Sequence, residues 1–225
     1  MNILAIETST ERASIALQWQ GRISQIELAS PPAHSATLLP AIRRLLDEQG
    51  AQLRELDRLA CGVGPGAFTG VRLACAVTQG LALGAGLAVA AVNSLETLAE
   101  QSGAQAAYCA LDARMSEIYA AAYRRGETGW EVVHAPCCVA PADLPAPPEG
   151  DWVCVGTAFA AYPAAAQRVA GWSPGAPRDL YPTAAGVLRL AQTAPLLDPA
   201  LLAPLYVRDR VALTIAERLA QGGRA

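Results

Sequence analysis

The chain has 225 residues, of which 52% are hydrophobic and 16% charged, enough apolar sequence for one large domain or two small ones. A formal charge of -3 and a pI near 5.4 give no basic surface on average, which argues against tight binding of nucleic acid by this chain alone. The apolar run at residues 3–6 has no basic region before it and no small-residue cleavage site after it, so we expect a cytoplasmic protein rather than a secreted one.

The first hundred residues predict the element order βββαβαβα. Runs of apolar residues, or apolar residues alternating with polar ones, indicate strands, and leucine or isoleucine at three- and four-residue steps indicates helices. Proline at position 40 should lie near the first turn of the first helix, and Ser94 should cap the last. The predicted strands are 3–7, 13–19, 22–28, 56–63 and 88–92, and the predicted helices are 34–49, 69–83 and 94–101.

Residues 73–92 approach a membrane span in length, but Gly84 and Gly86 interrupt them, so we predict a helix, a turn and a strand in the core and no membrane segment. The six cysteines show no C-x-x-C spacing, so neither zinc nor disulfides are indicated.

The second half repeats the opening pattern on a smaller scale. An apolar strand ending in Asp112 is followed by a short turn and another apolar strand, so Asp112 takes the place that Glu7 has in the first half. We therefore predict two related α/β lobes, residues 1–103 and a smaller one at 104–225. Its predicted elements are strands at 107–112, 117–123, 130–139 and 152–156, a loop at 141–151, and helices at 183–192 and 213–220.

The glycine-rich loop from Gly62 to Arg72 joins a predicted strand to a predicted helix. Gly64 and Gly66 permit positive φ and a close approach to the backbone, and Thr69 is a candidate cap. Free N–H groups at such a helix start attract anions, so the loop could bind a phosphate, or it could be a tight turn that serves packing only. The loop alone does not decide between these.

Five motifs in fixed order carry a family resemblance. They are Glu7-Thr8-Ser9-Thr10, His34-Ser35-x-x-Leu38-Leu39-Pro40, Gly64-Pro65-Gly66-x-Phe68-Thr69-Gly70-x-Arg72, Asp112-Ala113-Arg114-Met115-x-Glu117-Ile118-Tyr119 and Pro204-x-Tyr206-x-Arg208. Together they resemble the TsaB (YeaZ) family over nearly the whole chain.

This resemblance implies a two-lobed fold of the actin, sugar kinase and Hsp70 type. It also implies a bacterial protein needed to make threonylcarbamoyladenosine in tRNA, as the non-catalytic partner of its paralogue TsaD and with the ATPase TsaE in the same assembly. The chain would contact tRNA only through the complex and would form a homodimer when alone.

The resemblance further suggests a weak, vestigial phosphate site, with ATP or ADP at or near the partner interface left open. Glu7 stands where the family commonly has Asp and Ala67 where it commonly has Ser, and both differences weaken this site. Thr8 and Ser9 are also ordinary turn residues. The proposed site residues are Glu7, Thr8, Ser9, Gly64 and Gly66.

No catalytic residue and no metal ligand is expected. TsaD has an Asn-His-x-x-x-His segment whose two imidazoles can hold one metal ion. The matching segment here begins at Asn93, with Ser94 and Leu98 in place of the histidines, and neither side chain supplies a nitrogen donor.

Two predicted helices are candidates for the partner interface, since each has more apolar or small surface than one sheet face needs. These stripes could instead simply cover their own sheet. The proposed interface residues are Leu38, Leu39, Ile42, Leu46, Val71, Cys75, Thr78 and Gln79.

Three functions follow as hypotheses. The first is an accessory subunit that orders TsaD. The second is an ATP-dependent small-molecule kinase or ATPase of the same fold, using Glu7 or Asp112, although the second lobe is short and offers only Gly156-Thr157 for an adenosine. The third, a metallopeptidase, lacks the histidine pair it would need.

Overall fold

A computed structural model describes residues 1–28 and 34–208 of the chain. The predicted helix at 213–220 lies outside the described residues. The strands are β1 (Ile3–Glu7), β2 (Ser14–Trp19), β3 (Arg22–Glu27), β4 (Arg58–Gly62), β5 (Val89–Val92), β6 (Ala106–Asp112), β7 (Ile118–Arg125), β8 (Trp130–Val139), β9 (Val153–Val155) and β10 (Leu196–Leu197). The α-helices are α1 (His34–Glu48), α2 (Phe68–Ala85), α3 (Ser94–Ser102), α4 (Ala158–Ala161), α5 (Pro163–Val169) and α6 (Ala184–Leu190).

The first sheet has six strands in the order β10-β5-β4-β1-β2-β3, with β1, β4 and β5 parallel and β1, β2 and β3 joined by antiparallel pairing. Side chains alternate between its two faces. Leu4 and Ile6 of β1 lie in one core with Leu38 of α1 and Val71 of α2. Ile3 faces the other side, in a core shared with α6. The sheet is therefore covered on both faces.

The second sheet has four strands in the order β8-β7-β6-β9. Its outer face packs against α4 and α5 around Tyr108, Trp152 and Phe159. Its inner face packs against α3 through Leu95 and Leu98. The structure thus has the two α/β lobes that the repeat of strand, acid, turn and strand predicts.

The predicted boundary between residues 103 and 104 needs correction. Helix α3, assigned to the first lobe, packs on the second sheet. Helix α6 and strand β10, assigned to the second lobe, belong to the first: Val187 is in the core under β1, and Ala184 N donates to Ser14 Oγ at 2.8 Å. The chain therefore crosses between the lobes before α3 and again before α6, and each crossing supplies a helix that covers the apolar face of the other lobe's sheet.

Three local predictions also change. Asn93, not Ser94, caps α3, accepting hydrogen bonds from Leu95 N at 2.8 Å and Glu96 N at 3.4 Å. Helix α2 begins at Phe68 without a side-chain cap from Thr69. Pro40 lies inside α1 rather than near its first turn.

Candidate functional site

A cavity of about 530 Å³ lies between the two lobes. Its walls come from the turn after β1, the start of α2, the turn between β6 and β7, and residues 205–208. Ser9 and Gly66 are the two predicted phosphate-site residues that line it. Clefts of this size are where small ligands bind most often, so the residues around it decide what the chain can do.

The glycine loop is filled by the chain's own first hairpin. Ala67 N donates to Ser9 O at 2.7 Å, and Thr8 Oγ1 donates to Gly70 O at 2.6 Å. A Cβ on Gly66 would collide with the Ser9 backbone, and one on Gly70 with the Thr8 carbonyl. The close approach that the glycines permit is therefore an approach of hairpin to loop, in which the Ser9 carbonyl accepts from the Ala67 N–H.

Gly64 has a positive φ of 95°, as predicted, but its carbonyl accepts from Ser94 N at 2.8 Å. It thereby fixes the start of α3. Gly64 therefore also makes a contact within the chain. A glycine is needed here because residues with a Cβ are strained in the left-handed region.

Glu7 is buried at the end of β1 and does not line the cavity. Its Oε1 accepts from Ser9 N at 2.6 Å, and its Oε2 accepts from Ser94 Oγ at 2.9 Å. Gly62 leaves the room that this side chain occupies. Burial raises the pKa of the Glu7 carboxyl, against the lowering effect of its hydrogen bonds. Both oxygens of this carboxyl are thus engaged by Ser9 and Ser94 within the protein.

Asp112 forms an ion pair with Arg114, at 3.0 Å between Oδ2 and Nη1. Arg114 also approaches Glu11 of the first lobe at 3.8 Å, so the pair lies at the lobe junction. Asp112 Oδ1 accepts from Tyr162 Oη at 2.8 Å. Its oxygens are thus engaged by neighbouring side chains at the wall of the cavity.

The turn that follows Asp112 holds three successive residues in the left-handed region: Arg114, Met115 and Ser116, with φ of 60°, 53° and 58°. Each such non-glycine residue costs roughly 1–2 kcal/mol, so surrounding contacts must hold the turn in place. Met115 is 65% exposed at its tip. Sequence reasoning did not single out this backbone, because the residues themselves carry no glycine signal.

The positions that would be histidines in TsaD are core positions here. Ser94 donates to Glu7, and Leu98 is buried against the second sheet. Within residues 1–28 and 34–208, no group of three or more His, Cys, Asp or Glu side chains is arranged to hold a metal ion. His134 contacts the Ala146 carbonyl at 2.9 Å.

Gly156 and Thr157, the candidate adenosine-binding pair, are also used internally. A Cβ on Gly156 would meet the Ala110 carbonyl, and Thr157 Oγ1 accepts from Asp112 N at 3.2 Å. Both residues therefore pack the start of α4 against β6.

The predicted partner-interface residues divide by burial. Six of them lie in the core of the first lobe and are corrected here to core residues: Leu38, Ile42, Leu46, Val71, Cys75 and Thr78. Leu39 is 50% exposed, and Gln79, partly buried, donates to Pro199 O at 2.8 Å. The inward stripe of each helix covers its own sheet, which is the alternative that the sequence left open.

Cys75 illustrates this burial. Its sulfur lies 4.0 Å from that of Cys61, on β4 beneath the helix. The hydrogen bond from Cys61 lowers the pKa of the Cys75 thiol and raises that of Cys61. Both are free thiols that face the core.

The opposite side of α2 is exposed and was not predicted residue by residue. We call it the α2 outer face. The helix α2 is long and apolar enough to cross a membrane, but core helices of globular proteins can be equally long and apolar. Only 28% of the residues of α2 are buried. The α2 outer face consists of Arg72, Ala76, Gly80, Leu83 and Gly84.

Comparison with known proteins agrees with the motifs. The family model described as "TsaD: tRNA N6-adenosine threonylcarbamoyltransferase" matches residues 24–171. The Escherichia coli protein named tRNA threonylcarbamoyladenosine biosynthesis protein TsaB is 34% identical over 171 residues, which are 72% of this chain and 74% of the relative. The chain belongs to the TsaB family.

Further TsaB relatives and solved structures extend the match. The TsaB protein of Haemophilus influenzae is 32% identical over 123 residues, 53% of this chain and 52% of that protein. A Pseudomonas aeruginosa crystal structure described as similar to the peptidase YeaZ is 34% identical, with a TM-score of 0.81, covering 92% of this chain and 99% of that one. A second structure, YeaZ from the same organism, has a TM-score of 0.80 at 34% identity, covering 91% and 99%. These TsaB-type structures confirm the predicted two-lobed fold.

Proposed function

We propose that this chain is a non-catalytic subunit of the machinery that makes threonylcarbamoyladenosine in tRNA, and that it binds and orders a TsaD subunit. The pathway follows from its TsaB relatives, which are named as threonylcarbamoyladenosine biosynthesis proteins. The accessory role rests on one observation: the long apolar helix α2 leaves its outer side uncovered by the described residues.

The α2 outer face has the composition of a helix-packing surface. Ala76, Gly80 and Gly84 are small, and a Cβ added at Gly80 or Gly84 would meet nothing within 4 Å, so another helix could approach closely. Leu83, 57% exposed, supplies an apolar side chain that a partner would bury. Charged residues are absent from this face apart from Arg72, as in the centre of a protein interface.

Helix α1 packs beside α2 and adds Leu39 to the exposed apolar surface. The TsaD-type family model spans both helices, at residues 24–171, so a TsaD protein has homologous elements. A contact between like helices of two related lobes would have approximate twofold symmetry. The same surface would support a homodimer when TsaD is absent.

The absence of a catalytic role is part of the proposal. Carbonyls of the first hairpin fill the glycine loop, and Glu7 is enclosed with a raised pKa. A kinase or ATPase has less support for these reasons, because phosphoryl transfer needs an open phosphate cradle and a free carboxylate. A nucleotide at or near the partner interface stays a prediction, as do the link to TsaE, contact with tRNA through the complex only, and a cytoplasmic location.

The test is size-exclusion chromatography of this chain with TsaD from its own organism. Wild type should co-elute as a heterodimer. Ala76→Glu and Leu83→Glu should weaken the complex by about 30-fold or more, because a charge buried in a contact of this kind costs roughly 2 kcal/mol. Val132→Glu, an exposed apolar residue on β8 of the second sheet (60% exposed), is the matched control and should bind normally.

Binding that survives both α2 variants would place the partner on another face.

The non-catalytic role is tested separately by ATP hydrolysis. The purified chain should hydrolyse ATP no faster than its Glu7→Ala variant, and turnover that depends on Glu7 would favour the kinase alternative.

A further inference from the structure

Residues 199–208, which we call the strap, run from the first lobe to the second. Three hydrogen bonds tie the strap to the first lobe. Gln79 of α2 donates to Pro199 O at 2.8 Å, Leu205 N donates to Val63 O at 2.8 Å, and Arg72 Nε donates to Tyr206 Oη at 2.7 Å. Two of these three bonds use side chains of α2.

Tyr206 of the strap is held on α2 by more than one contact. The Arg72 guanidinium lies 3.6 Å from the centre of the Phe68 ring, and that ring is 6.2 Å from the ring of Tyr206. Phe68 and Tyr206 are about half exposed, so water competes with the bond between Arg72 and Tyr206 in the free chain.

Two residues beyond Tyr206, Arg208 at the C-terminal end of the strap contacts the left-handed turn of the second lobe. Arg208 donates to Ala113 O at 2.8 Å and forms an ion pair with Glu117 at 2.7 Å. Its guanidinium is also 3.3 Å from Arg114 O. The Arg208 side chain is only 16% exposed, and charge-assisted bonds of this kind are among the stronger ones in proteins.

Arg208 holds this strained turn together with the backbone hydrogen bonds between Ala113, Arg114 and Glu117 and the bond from Arg114 N to Asp112 Oδ1. Three successive left-handed residues persist only when their surroundings fix them, and Arg208 reaches the carbonyls on both sides of the first of these residues. The turn in turn carries Arg114 to the cavity wall and toward Glu11 of the first lobe. Residues 205–208 of the strap and Arg114 of the turn therefore meet at the wall of the cavity between the lobes.

We propose that the strap couples the α2 outer face to the geometry of the cavity between the lobes, with Arg208 as the residue that positions the 113–117 turn. The part that concerns a bound partner rests on the proposed function. A partner on the α2 outer face would cover Arg72 and exclude water from its bond with Tyr206. The strap would then hold the turn more firmly, although the turn itself is not at the contact.

The first test uses the free chain, so it does not depend on any partner. Hydrogen exchange of the 113–117 amides, read by mass spectrometry, reports opening of the turn, since Ala113 N and Glu117 N are bonded within it. Tyr206→Phe removes only the hydroxyl that Arg72 contacts and should speed this exchange by about fivefold. Arg208→Gln should speed it at least as much.

The matched control is Tyr123→Phe. It also removes a single tyrosine hydroxyl, one with no hydrogen-bond partner, from a strand of the second sheet, and it should leave exchange at 113–117 unchanged. If Tyr206→Phe also leaves exchange at 113–117 unchanged while global unfolding is the same, the strap does not couple α2 to the turn and the proposal is overturned.

The second test adds TsaD. Exchange at 113–117 should slow by about fivefold or more in the wild-type complex and should not slow in the complex of Tyr206→Phe. A complex without slowing would overturn the coupling to α2 while leaving the proposed function intact. Failure to form a complex would contradict the proposed function, and the free-chain experiment would still decide the role of the strap.

Discussion

The hydroxyl of Ser94 donates a 2.9 Å hydrogen bond to the carboxyl of Glu7, which joins the start of α3 to the end of β1. Because α3 packs on the second sheet and β1 is central in the first, this buried bond connects the two lobes. It also occupies the acid that would serve a nucleotide in a catalytic protein of this fold. The residue that suggested chemistry in the sequence is thus part of the lobe junction.

Glu7→Gln should remove a pH dependence of stability. Burial raises the pKa of Glu7 in the folded protein, so its contribution is fully present below the ordinary glutamate pKa and is lost as pH rises through the folded value. Gln keeps the shape and can accept from Ser9 N. At pH 8 the variant should melt about 2 °C or more above wild type, roughly 1 kcal/mol for a chain of this size.

The measurement is Tm by circular dichroism from pH 4 to pH 8. The difference between variant and wild type should shrink toward the acidic end. Parallel curves over the whole range would mean that Glu7 does not titrate there.

Two glycines of the same helix should respond in opposite ways to alanine. Gly70→Ala places a Cβ against the Thr8 carbonyl and should destabilise the chain by about 1–3 kcal/mol. Gly80→Ala enters open space on the α2 outer face and should stabilise it by about 0.5–1 kcal/mol through helix propensity. Urea unfolding measures both. Equal effects would show that the loop can move away from the hairpin.

The sequence predicts the first lobe well because its signals are local. The apolar run in β1 and the apolar stripe in α1 depend only on which residues follow one another, and the structure has both elements near the predicted bounds. Which sheet a helix covers depends on distant contacts. Leu95 and Leu98 show that α3 has a buried face, but nothing local says that it lies on the second sheet.

The site was harder to predict for a similar reason. Gly66 indicates that something approaches the backbone closely, and both a phosphate and the hairpin at Ser9 satisfy that condition. The short helices α4 and α5 were missed because Pro163 interrupts an alanine-rich segment with little apolar periodicity. Contacts between segments far apart in sequence decide each of these cases.

Two adjacent leucines of α1 test the assignment of core and surface. Leu38 is fully buried and Leu39 is 50% exposed. Leu38→Ala should cost about 2–5 kcal/mol of unfolding free energy, since it leaves a cavity in the first-lobe core. Leu39→Ala should change it by no more than about 0.5 kcal/mol. Denaturant titration distinguishes them, and similar losses would contradict the orientation of α1.

Glu100 of α3 provides a pH dependence of the opposite sign. It forms ion pairs with Arg125 of β7 at 2.8 Å and with Arg189 of α6 at 3.4 Å, and Trp130 donates to it at 3.0 Å. Burial raises its pKa, but the bonds from Trp130 and Arg125 outweigh burial, so the pKa is lowered. Its contribution is present above the ordinary glutamate pKa and is lost as pH falls through the folded value.

Glu100→Gln should therefore lower the Tm at pH 7. The corresponding loss of unfolding free energy should not exceed the ~1 kcal/mol expected of a partly solvated ion pair, and it should disappear in acid. Raising the salt concentration should reduce the loss at pH 7, because exposed charges are screened. Thermal melting at pH 7 and below pH 4, with and without added salt, measures this. A loss that persists unchanged in acid would mean that Glu100 acts through packing and not through its charge.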